Sequence, residues 1–183
     1  MSGGAHVDPS NKKIALQIAI LAVVLAFSET LGKGAQTAAL SFNIEASNLW
    51  SFYQAKTIRQ TTMRTAADLL SAQTAGKGTE AEKKQIEAWK KTAERYESEP
   101  DKGEGRKELA ARAKKAEENR DRSLAAYHHY EVASAAVQIA IVLASAEVIT
   151  SVIALGWASA LLGVTAVGFC LIGFFWPMAV HLF

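Results

Sequence analysis

Two glutamates interrupt stretches that are otherwise apolar, and of all the side chains in the sequence they are the most able to do chemistry. Glu29 follows the run Ile14 to Phe27 inside VVLAFSETLGK, residues 23 to 33, with no basic residue between Lys13 and Lys33. Glu147 is the one acidic residue in the 52 residues from Val132 to Phe183, which hold no Asp, Lys or Arg. A carboxyl group in a lipid-like setting is costly, so it marks either the handling of an ion or proton or a buried polar contact. The plainer chemistry is a protonated acid bonded to a nearby hydroxyl or carbonyl. Ser28, Thr30, Ser145, Thr150, Ser151, Ser159 and Thr165 are the hydroxyl candidates. In a symmetric oligomer each glutamate could instead form a ring, and an acidic ring selects cations.

Spacing places both acids on faces of small residues. Ala15, Ala19, Ala22, Ala26 and Glu29 recur at intervals of 4, 3, 4 and 3, which is one side of a helix. Ala136, Ala140, Ala144 and Glu147 repeat the device at 4, 4 and 3. Small residues let helix backbones approach in lipid, where packing and not hydrophobicity drives association. These faces predict homo-oligomerisation.

The elements that carry them are membrane helices. Half of the 183 residues are hydrophobic and 21% are charged, but 18 of the 20 basic residues lie between Lys33 and Arg122. The expected fold is all-α integral membrane: transmembrane helices at 14–33, 132–155 and 157–176, with a short N-terminal segment at 1–13 and a tail at 177–183. About 20 residues cross a hydrocarbon core of roughly 30 Å, so the long C-terminal run must fold back. Its corner is expected in ALGWAS, 154–159, at Gly156. Trp157 and Trp176 would be the membrane-interface anchors, about 28 Å apart along one helix. Pro177 ends that helix. A cleavable signal is the rival reading of the first run, with Lys12 and Lys13 as its basic end and AFS at 26–28 as its cleavage site.

With these boundaries Glu29 lies about 6 Å, and Glu147 about 22 Å, from the cytoplasmic ends of their spans. The two acids belong to separate layers. Orientation follows the basic residues next to the spans: Lys33, Lys114, Lys115, Arg120 and Arg122 flank the middle segment, against Lys12 and Lys13 on the other side. The segment 34–131 is therefore expected in the cytoplasm.

That segment reads as a long helical hairpin, coiled-coil-like, broken at AGKGT (75–79) and SEPDKGEG (98–105). Ile86, Trp89, Ala93 and Tyr96 form a helical stripe, and Phe42, Leu49, Tyr53, Met63, Ala67 and Leu70 a less regular one. The stretch LWSFYQAKTIR, 49–59, could alternatively lie flat on a membrane, but no breaker separates it from the first span. The charge runs EAEKK and RAKKAEENRDR mix signs, as solvated helix faces do, and predict no nucleic-acid partner.

No phosphate loop, nucleophile elbow or zinc-protease motif is present, so no enzyme activity and no cofactor is predicted. His128 and His129 are adjacent and diverge by about 100° on a helix, so YHHYE is expected to anchor at the interface beside Tyr127 and Tyr130 and to hold no metal. His181 sits in the tail. Cys170, the single cysteine, is expected to be a small packing residue.

Together, ETLGKGAQTAAL, EASNLWSFYQAKTIRQTTMRTAADLL and the paired C-terminal spans make the chain resemble a family of small bacterial membrane proteins, domain-of-unknown-function family 4337. The resemblance covers nearly the whole chain and implies a multi-pass protein of the bacterial inner (cytoplasmic) membrane. It supplies no activity or catalytic residue. The expectation is a membrane-anchored scaffold or interaction module, in contact with lipid, with copies of itself and with a cytoplasmic protein partner through the hairpin. A cation or proton channel built on Glu147 and Glu29 is the alternative.

Overall fold

The computed structural model describes residues 9–75 and 77–180. The start of the N-terminal segment and His181 lie outside the described residues. Every regular element is an α-helix: α1 (Pro9–Thr74), α2 (Glu80–Glu97), α3 (Arg106–Thr150) and α4 (Ile153–Phe175). The breaks expected at 75–79 and 98–105 separate α1 from α2 and α2 from α3. Thr79 starts α2 with a capping box, its hydroxyl accepting from the Glu82 amide while the Glu82 carboxylate accepts from the Thr79 amide. By length and composition α1, α3 and α4 can each cross a membrane.

The chain forms two compact units, one comprising residues up to Leu40 with Asp121 onward, the other Ser41–Arg120. In the first unit, Leu21 of α1, Ala133, Val137 and Ala140 of α3 and Ala166 of α4 form a shared core. Cys170 packs against it. Ser159, Gly163, Ala166 and Gly173 are the buried residues of α4, a small-residue stripe that lets α4 lie close to its neighbours. Outside this core the apolar side chains turn outward: Phe27, Val142, Ile149, Leu161 and Val164 are all more than half exposed. Such a surface suits an apolar surrounding and not water.

The corner between α3 and α4 falls at 151–152 and not at 154–159. Ser151 takes a left-handed conformation (φ 58°), and its amide donates to the Glu147 carbonyl at 2.8 Å, closing α3. Gly156 lies inside α4, and its missing side chain is used otherwise, as described below. Trp157 and Trp176 stand at opposite ends of α4, 75% and 66% exposed. α4 ends one residue before Trp176, ahead of Pro177.

The second unit is built around Ala46 and Leu49 of α1 and Leu109, Ala113 and Ala116 of α3, with Trp50 and Tyr53 packed against them. Trp50 donates its indole N–H to Glu117 at 2.8 Å. Trp50 and Tyr53 thus pack against their own unit, while Phe52 stays 37% exposed. Lys56 is also turned inward: it is 5% exposed, lies over the rings of Phe52 and Tyr96 and faces Glu99 and Glu104 at 4.0 and 3.8 Å.

Candidate functional site

The two glutamates line separate clefts of the first unit. Glu29 is exposed on α1 and borders a cleft of about 290 Å³ with Lys33, Gln36, Tyr127 and Glu131. Its acidic neighbour is therefore Glu131, to which the Tyr127 hydroxyl donates at 3.3 Å. Glu147, half-buried on α3, borders a second cleft of about 380 Å³ with Lys13, Gln17, Gly156 and Trp157. Gln17 and Glu29 are 12 positions apart on one helix, which is about 18 Å of rise. The two acids line different clefts of the first unit.

Neither acid is bonded to the hydroxyls expected to hold it. Ser28, Thr30, Ser145, Thr150 and Thr165 each donate to a carbonyl of the preceding turn of their own helix, the usual recourse of a hydroxyl inside a helix. Glu147 makes neither a hydrogen bond nor an ion pair within 4 Å among the described residues. Its carboxylate lies instead over the backbone of Gly156, in the space a β-carbon of residue 156 would fill. Gly156 thus admits the end of the Glu147 side chain and makes no turn.

Ser159 is fully buried and occupied elsewhere. The Gln17 amide donates to its hydroxyl at 2.9 Å and to the Gly156 carbonyl at 3.3 Å, and the Ser159 hydroxyl donates to the Ala140 carbonyl at 2.7 Å. This chain of bonds ties α1, α4 and α3 together at one level, and in a water-poor setting each bond is costly to leave unmade. Sequence reasoning passed over Gln17. The signal was present, since Gln17 is the one polar residue from Ile14 to Phe27.

The two alanine faces separate in use. Ala140 and Ala144 are fully buried, and Ala136 half-buried, within the first unit. Ala15, Ala19, Ala22 and Ala26 are all exposed, because α1 turns Ile14, Leu21 and Ser28 inward instead. At the other end of the first unit His129 is fully buried, stacked on Phe169, with Nε2 at 3.2 Å from the Pro177 carbonyl. Tyr130 is 5% exposed. These two residues are core, which corrects their reading as interface anchors; the absent side chain of Gly173 makes room for both.

In the second unit the organising residue is Arg106, also unmarked by sequence reasoning. Its guanidinium donates to the Thr57 hydroxyl at 2.9 Å, the Glu97 carboxylate at 2.8 Å and the Tyr53 hydroxyl at 2.9 Å, and also to the Gln60 carbonyl oxygen. Gln60, 2% exposed, returns its amide to the Ala93 carbonyl at 3.0 Å and to Glu97 at 2.8 Å. The Gln60 bond does most to hold the Glu97 carboxyl below the usual range; partial burial opposes it, and the Arg106 charge adds to the lowering. One planar fork with several donors thus joins α1, α2 and α3. The arrangement is a structural clamp, with no nucleophile or paired acid and base set against a cavity.

No curated protein and no solved structure gives a match to the chain. Residues 10–176 match the family model described as domain of unknown function (DUF4337). With all four helices inside the match but for the first residue of α1, the chain belongs to the DUF4337 family.

Proposed function

We propose that the protein is an oligomeric scaffold of the bacterial inner membrane, held by three spans and presenting residues 41–120 as an interaction module for a protein partner in the cytoplasm. The observation that carries this reading is the exposed alanine stripe of α1. Ala15, Ala19, Ala22 and Ala26 are all exposed, yet their spacing is that of a close helix contact in lipid. A second copy of α1 supplies the missing surface. The basic residues that flank 34–131 support a cytoplasmic placement of the module, and its mixed charges suit solvent and a protein partner rather than nucleic acid.

Disulfide trapping in membranes tests the reading. In a Cys170→Ser background, Ala22→Cys should give a covalent dimer on mild oxidation, and Val23→Cys, about 100° around the helix, should give far less. Equal trapping at both positions, or none at either, contradicts an α1–α1 contact.

A second reading, cation passage, draws on one specific observation: Glu29 is exposed at the end of the same alanine stripe, so an α1-centred oligomer gathers these acids. Glu147 supports it less, because Lys13 lines the same cleft and supplies a cation that a permeating ion would have to replace. Cation flux into liposomes that Glu29→Gln abolishes would favour passage over the scaffold.

A further inference from the structure

The cleft beside Glu147 adjoins an apolar groove between α1 and α4. The groove has a volume of about 500 Å³ and is walled by Leu16, Ile20, Val24, Val164 and Val167. Lys13, Gln17 and Ala160 line both cavities, so polar head and apolar trough adjoin. Gly163 lets Leu21 of α1 come close to α4 beside the trough, since a β-carbon there would come within 2.7 Å of Leu21 Cδ2.

The polar end carries both signs of charge without letting them cancel. Lys13 and Glu147 face one cleft, and neither forms an ion pair within 4 Å among the described residues. The amide nitrogen of Gln17 is spent on Gly156 and Ser159, which leaves its carbonyl oxygen as a second acceptor beside the carboxylate. Trp157, a side chain suited to the level of lipid headgroups, borders the same cleft.

From this juxtaposition we propose that the cleft and groove form one binding site for a zwitterionic phospholipid with a primary-amine headgroup. The lipid phosphate pairs with Lys13, the ammonium donates to Glu147 and Gln17, and one acyl chain lies in the groove along α1 and α4. A primary ammonium offers three N–H donors to these acceptors. A quaternary choline offers none, and the neutral hydroxyls of a glycerol headgroup bring no positive charge to Glu147. The site rests on the membrane placement of α1, α3 and α4 but not on the scaffold reading.

The test is native mass spectrometry of the full chain released from nanodiscs holding phosphatidylethanolamine, phosphatidylcholine and phosphatidylglycerol in equal amounts. Wild type should retain phosphatidylethanolamine about tenfold over each of the others, the scale of a charge-assisted hydrogen bond at a partly wet site. Glu147→Gln should erase the preference over phosphatidylcholine, and Lys13→Gln should weaken retention of every phospholipid. Glu29→Gln, at the other cleft, should leave retention unchanged and serves as the folding control. Equal retention of the three lipids, or a preference that survives Glu147→Gln, overturns the proposal. Displacement of the lipid by soluble glycerophosphoethanolamine at similar concentration would remove the groove from the site and also overturn it. A chain that fails to enter nanodiscs sinks the membrane placement itself, a result distinct from entry without preference.

Discussion

Replacing Arg106 with alanine is expected to destabilise the second unit by about 2–4 kcal/mol, the range for removing one member of a buried, charge-assisted network. The loss falls mainly on Gln60, which is 2% exposed and keeps an acceptor with no donor. Glu97, whose side chain is 34% exposed, recovers part of its solvation from water. Arg106→Lys keeps the charge but not the planar fork, so it should restore only a part. Amide hydrogen exchange across 53–60 and 97–109 reads the effect, about tenfold faster for each 1.4 kcal/mol.

The same network sets a pH dependence. Glu97 has its folded-state pKa lowered, so the stability it contributes is present above its unfolded value, about 4.3, and is lost as pH falls through the folded one. Wild-type protection should therefore drop below about pH 4. The Arg106→Ala chain should show a shallower drop, because one cause of the lowering has gone. Unchanged exchange in the alanine variant would mean that α1, α2 and α3 are held there by packing alone.

Gly173→Leu is expected to be the most disruptive single change in the first unit. A β-carbon at 173 would stand 3.0 Å from His129 Cβ, 3.1 Å from Tyr130 Cε1 and 3.3 Å from the Ala126 carbonyl oxygen. Two of these atoms belong to or adjoin backbone and cannot swing away, and a leucine adds three more carbons. Overpacking of this kind costs about 1–3 kcal/mol and more where the neighbours are rigid. Gly168→Leu is the matched control, since nothing lies within 4 Å of its β-position and leucine favours helix by about 1 kcal/mol over glycine. Thermal unfolding in detergent should fall by many degrees for Gly173→Leu and stay level or rise for Gly168→Leu. Similar melting of the two variants would remove close helix approach at Gly173 from the account.

Periodicity and composition made the helices legible, because long apolar runs and the breakers at 75–79 and 98–105 act locally. The corner was misplaced because Gly156 has two physical uses, relaxing a helix or admitting a neighbour, and only the position of Glu147 distinguishes them. Which face of α1 turns inward within the chain was not legible either. Alanine spacing marks a face that can approach another helix, but which face turns inward depends on where Leu21 finds Gly163 and where Gln17 finds Ser159, contacts more than 130 positions apart in sequence. Arg106 and Gln60 escaped notice for a related reason: in a charged segment nothing local separates a clamp from a solvated surface residue.

In the proposed placement three helices cross the membrane and leave the module on the cytoplasmic side. In a Cys170→Ser background, Ser151→Cys places one thiol at the α3–α4 corner, and Ala88→Cys places one on the exposed surface of α2. Treated with a membrane-impermeant maleimide, intact cells should label Ser151→Cys at once and Ala88→Cys only after the inner membrane is permeabilised. Labelling of Ala88→Cys in intact cells, or of both thiols together, would contradict the account.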